Sequence, residues 1–268
     1  MVSELRNFLL VVDHGTFTEA ARHAHLAQPS LSASIKRLEE DMGARLLQRL
    51  PRGARPTAAG QALMPHARAV LAELERARRA VREVEGLEAG EVRVGGGATA
   101  STYLLPPLLA SFRTKYPGIR LRLIEDFSPN VPDLVRRGVL DLGIGQNTGE
   151  PWMDDPLVVV GSPDGARDVM IGFVRGAALR DLQDRLFPDV EQVMELASIA
   201  AVKGQVRAGL GVALLSRASC RNDLNEGRLV EVHTPQTPWN RVLGLVHPGI
   251  DRLSPAVRVF RAHLLNTR

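Results

Sequence analysis

Residues 16–42, TFTEAARHAHLAQPSLSASIKRLEEDM, constrain the fold more than any other stretch of this 268-residue chain. They read as two short helices joined by a tight connection. Thr16 stands as N-cap with Glu19 three residues on, and Gly15 closes the helix before it. Ala20, Ala21 and Ala24 make a narrow inner face that lets the next helix come close. Pro29 opens the second helix at its first position, and Leu31, Ile35 and Leu38 follow the four-then-three spacing of a buried stripe. At about 100° per residue, Pro29, Ser30, Ser32, Ala33, Lys36 and Arg37 fall on the opposite side. Short side chains there let backbone and hydroxyls approach base edges, while Lys36 and Arg37 reach phosphate or guanine. A helical hairpin with a solvated charged face fits the spacing as well as a helix made for the major groove of DNA.

The next residues separate the two. Arg45, Arg49, Arg52 and Arg55 follow with no acidic residue between them, and Pro51, Gly53 and Pro56 break the segment into a hairpin-like loop. A basic loop directly after a reading helix is a wing, whose arginines meet the DNA backbone or the minor groove. Phe8, Thr16-Phe17, Ala20-Ala21, Gln28-Pro29-Ser30, Ser32, Leu38-Glu39, Gly43, Leu46-Leu47, Arg49 and Thr57-Ala58-Ala59-Gly60 stand in one order. In that order they resemble the N-terminal domain of LysR-type transcriptional regulators. Leu47 departs from the family's usual Phe, an apolar exchange. The resemblance and the helix geometry together nominate Thr16, Gln28, Pro29, Ser30, Ser32, Ala33, Lys36, Arg37, Arg52 and Arg55 as the DNA-contacting set. His23 and His25 lie outside the pattern and read as surface or boundary residues, because no Cys or carboxylate stands at ligand spacing.

Residues 58–88 read as one long helix. Leu63, Val70, Ala77 and Val84 recur every seven, with Ala67, Leu74 and Val81 between them. That is a heptad seam, narrower than the stripe of a helix lying on a globular core. It predicts dimerisation through the same helix of a second chain, which would pair two reading helices on a near-palindrome. The alternative is a solitary connector.

Gly90 marks the hinge after that helix, and from Glu91 onward the texture alternates strand and helix, as in an α/β unit with a parallel sheet. Ligands in such folds sit beyond the carboxyl ends of the strands. The loop at 97–102, with Thr99, Ser101 and Thr102 at a helix start, is suited to a carboxylate or other anion. It lacks both G-x-G-x-x-G and a Walker lysine, which argues against a nucleotide loop. Farther on, Leu157–Val160 and Val169–Val174 read as strands, Leu179–Leu186 and Met194–Ala208 as helices. A C-terminal helix begins with Ser254 as cap and Pro255 at its first position.

The stretches DLGIG at 141–145 and AGLGVALLS at 208–216 extend the resemblance, and the lobes also look like periplasmic solute-binding proteins. The implied fold class is α+β overall: an N-terminal winged helix-turn-helix at 1–57, a coiled-coil linker helix at 58–88, and a two-lobed α/β periplasmic-binding-protein-like effector domain. Lobe I comprises 89–150 and 240–268, and lobe II comprises 151–239. The stretch from Leu157 to Val202 is shorter than the resemblance implies, so either lobe II has lost loops or segments are missing from the chain as written. The resemblance places a small-molecule effector between the lobes, against Thr99, Ala100, Ser101, Thr102, Ser128, Asn130, Gln146, Phe173 and Ser198. Hydroxyls and amides without an obvious arginine point to a small polar or mildly anionic ligand.

Composition sets outer limits. A net charge of +4 permits nucleic-acid binding, and one cysteine, Cys220, excludes an intrachain disulfide and suits a reducing cytoplasm. Neither a secretory signal nor a membrane-length apolar run is visible, so no membrane partner is expected. No nucleophile–base pair, metal cluster or cofactor loop stands at recognisable spacing, so no catalytic residue, metal or cofactor is expected. The expected partners are double-stranded DNA, a small effector and further copies of the chain as homodimer or homotetramer, and the resemblance also admits RNA polymerase. The rival reading is a solute-binding module whose helical arm serves protein contacts.

Overall fold

The computed structural model describes residues 1–50, 53–84 and 90–267. It divides into two compact units, Met1–Val84 with Arg136–Val139, and the remaining described residues.

The first unit opens with α1 (Val2–His14), α2 (Phe17–Ala24) and α3 (Gln28–Met42). Thr16 Oγ1 accepts the Glu19 amide at 3.1 Å, so the N-cap forms, while the Glu19 carboxylate turns outward to Arg22 at 2.9 Å. Pro29 lies one residue inside α3, since Ala27 is the cap and Gln28 the first helical residue. Phe8, Val11, Ala20, Leu31 and Leu38 form the centre of a core with less than one per cent of their surface exposed. One polar bond crosses this interior, from Asn7 Nδ2 to Ser34 Oγ at 2.8 Å. Losing either partner would strand the other at a cost of about 1–3 kcal/mol.

The wing is the hairpin of β1 (Leu47–Leu50) and β2 (Gly53–Pro56), paired antiparallel from Leu47↔Pro56 to Leu50↔Gly53. Glu39 on α3 accepts the Leu46 amide at 2.8 Å and the Leu47 amide at 3.2 Å, tying the wing to the helix. Gly53 has φ +117° and sits against the Gly15 carbonyl, where any Cβ would collide. The Ala54 amide donates to that carbonyl at 2.7 Å. Then α4 (Ala58–Val84) begins, capped by Thr57 Oγ1 on the Gly60 amide at 3.1 Å. Its first turns pack Leu63, Met64, Ala67 and Leu71 onto the unit's own core. The heptad seam is therefore divided: Leu63 and Ala67 are consumed internally, whereas Val70 and Val81 remain 45% and 62% exposed. The expected end of this helix, 85–88, lies outside the described residues, as does the hinge up to Ala89.

The second unit runs β3 (Glu91–Gly96), a π-helical turn at Ala100–Leu104, α5 (Leu105–Lys115), β4 (Arg120–Glu125), α6 (Val131–Arg136) and β5 (Leu142–Gln146). It continues with β6 (Glu150–Gly161), β7 (Val169–Phe173), α7 (Ala178–Leu186), β8 (Glu191–Leu196) and α8 (Ile199–Arg207). Last come β9 (Ala213–Ser216), α9 (Arg217–Asn225), β10 (Val230–Glu231), β11 (Trp239–Val246) and α10 (Pro255–Asn266). The main sheet has the order β10-β6-β11-β5-β3-β4, with β9 also on β6, and β7–β8 form a separate parallel pair. β6 and β11 pair antiparallel from Glu150↔Leu245 to Leu157↔Trp239, so the lobe boundary expected at 150/151 falls inside one continuous strand. Each lobe keeps its own core, one around Phe112, Ile144 and Phe260, the other around Leu157–Val160, Ile171 and Val202.

Two local expectations change. Met194–Leu196 belongs to β8, and the helix expected from Met194 starts only at Ile199, behind the Ser198 cap. The alternating half-buried pattern of Glu191–Leu196 is that of a strand covered on one side. Ser254 does occupy the cap of α10, yet its Oγ makes no cap bond and is buried without a partner.

An ionic knot in lobe II centres on α9. Asp223 on α9, 2% exposed, accepts from Lys203 Nζ at 2.8 Å, Arg228 Nε at 3.0 Å and Arg207 Nη1 at 3.2 Å. Burial alone would raise its pKa, but the bonds from Lys203 and Arg228 outweigh it and hold the carboxyl below its usual value. A depressed carboxyl stabilises the fold above its unfolded pKa and ceases to do so as pH falls through the folded one. Asp223→Asn is therefore expected to lower stability at pH 7, with the gap to wild type closing below about pH 4. Urea unfolding at pH 7 and at about pH 3 checks this, and a gap equally wide at both would contradict it.

Candidate functional site

On the first unit, Gln28, Pro29, Ser30, Ala33, Lys36 and Arg37 are exposed along α3, with Ser32 half-buried beside them. Lys36 Nζ lies 3.5 Å from Glu40, and Arg37 reaches back 3.6 Å to Glu4 on α1, both from exposed positions where a phosphate can displace the pairing. Thr16 is half-buried with its hydroxyl engaged as a cap. Arg55 is exposed on β2, and Arg52 lies outside the described residues. Arg45 and Arg49 join this face; they line a groove of about 660 Å³ with Phe17, Ser32, Ala33 and Lys36. His23 stacks on His14 with ring centroids 3.9 Å apart, and His25 ends α2 in the left-handed conformation. Among the described residues no group of three or more metal-ligating side chains comes together.

On the second unit, the loops that leave the carboxyl ends of β3 and β4 meet α7 and α8 around a cavity of about 490 Å³. Thr99, Ala100, Ser128 and Phe173, all expected there, line it. Five expected residues do not. Ser101 turns its hydroxyl inward to the Gly96 carbonyl at 3.1 Å, and Thr102 points to solvent on the next step of the π-turn. Asn130 is spent on Asp126 at 2.8 Å, and Ser198 on capping α8 through the Ala201 amide at 3.2 Å. Gln146 stands behind the wall, where it accepts from Arg241 Nη1 at 3.2 Å.

Arg241 overturns the expectation of a cleft without arginine. It lines the cavity while only 6% exposed. It sits on β11 directly opposite Asp155 on β6, in the pair of strands that joins the lobes. Its Nε and Nη2 donate to Asp155 Oδ2 at 2.8 and 2.6 Å, and Nη2 also donates to Thr99 Oγ1 at 3.3 Å. Ser216 Oγ donates to the other Asp155 oxygen at 2.5 Å. The charge is thus balanced and the fork is held in place at the cavity wall. No local pattern reveals this, because it depends on the β6–β11 register. Phe127, Leu179, Ile199 and Leu243 give the cavity apolar walls, and Glu125 and Asp126 add carboxylates. Ala177 offers no capping side chain at the start of α7, and Ala177, Ala178 and Leu179 line the cavity there. Cys220 lies fully buried elsewhere in lobe II, and burial pushes its thiol up, away from the reactive thiolate.

Comparison with known proteins agrees with both units. The family model described as bacterial regulatory helix-turn-helix protein, lysR family, matches residues 2–61, and that of the LysR substrate binding domain matches residues 85–268. The RuBisCO operon transcriptional regulator of Allochromatium vinosum is 31% identical over 98% of this chain and 95% of its own length. The uncharacterized HTH-type transcriptional regulator YeiE of Escherichia coli strain K12 is 30% identical over 96% of this chain and 94% of its own. Among solved structures, full-length CbnR complexed with its target DNA matches over 100% of both chains, with a TM-score of 0.69 and 18% identity. Full-length OxyR from Pseudomonas aeruginosa matches over 98% of this chain and 93% of its own, with a TM-score of 0.66 and 21% identity. At those identities the likeness is one of fold. The chain belongs to the LysR family of bacterial transcriptional regulators, with a helix-turn-helix DNA-binding domain ahead of a substrate-binding domain.

Proposed function

We propose that this regulator binds promoter DNA as a homodimer or dimer of dimers, reading base edges with α3 and holding the backbone with the wing. A small polar or mildly anionic effector in the cavity between β3, β4, α7 and α8 switches it. The observation that carries the DNA half is the exposed row Gln28, Pro29, Ser30, Ala33 and Lys36 beside the arginines of the wing. The observation that supports the effector half is a buried, fixed guanidinium in a cavity that combines apolar walls with the hydroxyl-bearing Thr99 and Ser128. Such a ligand changes DNA affinity only as far as it prefers one lobe arrangement to another.

Lys36→Ala and Arg55→Ala are each expected to weaken binding to all sequences and to reduce the salt slope by about one, while Ser30→Ala shifts base preference. Titration of labelled duplexes across a salt series measures both. Unchanged binding in all three variants would favour a sensor whose helical arm contacts protein. For the effector, thermal-shift screening of metabolites reads stabilisation by bound ligand, and a hit that stabilises the chain without altering its DNA affinity would contradict the switch.

A further inference from the structure

Arg49 stands on β1 opposite Ala54, and its side chain lies over α3. Its Nη2 donates to Ser32 Oγ at 2.5 Å, and its guanidinium carbon is 4.5 Å from the centroid of the Phe17 ring. One side chain thus joins the wing, the reading helix and the start of α2. Glu39, an acid on the same groove, is engaged instead by the amides of Leu46 and Leu47. We propose that Arg49 is a positioning residue that turns Ser32 into a hydrogen-bond donor toward the base edge, and so sets which bases Ser32 accepts.

A serine hydroxyl has one hydrogen and two lone pairs, and unaided it serves donors and acceptors alike. The guanidinium fills one lone pair with a charge-assisted bond, so the hydroxyl hydrogen turns away from Nη2 and is polarised as a donor. Its favoured partners in the major groove are guanine N7 and O6, adenine N7 and thymine O4, and the amino donors, cytosine N4 above all, are disfavoured because only one lone pair remains to meet them. The Phe17 ring holds the planar fork in place. A lysine keeps the charge but neither the plane nor the fixed direction.

The inference rests on α3 being the DNA-reading helix. If the wild-type chain enriches no sequence from randomised duplexes, that reading fails and this one with it; the variants test Arg49 alone. The base pair read by Ser32 is the one whose preference flattens in Ser32→Ala. There the wild type is expected to favour acceptor edges over cytosine about tenfold, a single good hydrogen bond. Arg49→Lys is expected to reduce this to less than about threefold with the salt slope unchanged, since the charge remains. Arg49→Ala flattens the same base pair, and both variants keep the wild-type melting temperature because the side chain is exposed. Wild-type preference in Arg49→Lys overturns the inference. So does an Arg49→Ala variant that keeps the preference and loses about one unit of salt slope, the behaviour of a plain phosphate contact. A Ser32→Ala variant that alters no position overturns it too.

Discussion

Replacing Val70 and Leu74 together by aspartate is expected to leave folded protein that no longer pairs through α4 and has lost about 10²–10⁴-fold in DNA affinity. The argument starts from burial. In a single chain Leu63 and Ala67 already pack on the helix-turn-helix core, so charges at those positions would unfold it. Val70, Ala77 and Val81 are exposed, and Leu74 half-buried, along one face of the remaining turns. That apolar face has the spacing of a two-helix seam and is far easier to leave in water as aspartate than to bury as aspartate. One reading helix alone makes few base contacts; two on one dimer gain the effective concentration of the second site, which is where the loss arises. Sedimentation equilibrium and duplex titration measure the two effects. A dimer of unchanged stability with unchanged DNA affinity would sink the pairing role of α4.

Arg241→Gln is expected to cost about 3–5 kcal/mol of stability, because it leaves Asp155 buried without its counter-charge. Asp155 is 2% exposed and retains only the Ser216 hydroxyl when the guanidinium is removed. The double variant Asp155→Asn/Arg241→Gln restores neutrality at both ladder positions and keeps an acceptor for Ser216. It is expected to recover at least half the loss, a coupling that only a double-mutant cycle separates from the single effects. The recovered protein carries the second part of the prediction. It should unfold at a higher temperature than the single variant yet show none of the thermal stabilisation that a screened metabolite gives the wild type, since the guanidinium lining the cavity is gone. A double variant as unstable as the single one contradicts the charge argument, and full ligand stabilisation in it contradicts the place of Arg241 in the site.

What could be read from sequence was local. The Thr16 cap, the helix-ending Gly15, and the buried stripe of Leu31, Ile35 and Leu38 each arise within a few residues, and each is present. The heptad was legible as a pattern, but its sharing between Leu63 and Ala67 inside and Val70 and Val81 outside was not. That division depends on how the helix enters the domain. In the cleft, five serines and threonines have the look of ligand groups, and two of them, Ser101 and Ser198, brace or cap the backbone, the commoner use of short hydroxyls at helix starts. Arg241 was invisible for the opposite reason: its meaning comes from Asp155, 86 residues away in sequence. β8 was lost because Met194–Leu196 continues into a helical run, and its partner β7 lies across a parallel crossover.

The central claim, that two copies of one winged helix-turn-helix read a two-fold DNA site, is tested most directly by footprinting the wild-type chain, at single-nucleotide resolution, on the duplex it enriches best. The account predicts two equivalent protected major-groove segments related by a two-fold axis, with centres one helical turn of about 10 bp apart or a multiple of it. A single unpaired segment, or protection that spreads evenly without regard to sequence, would contradict it.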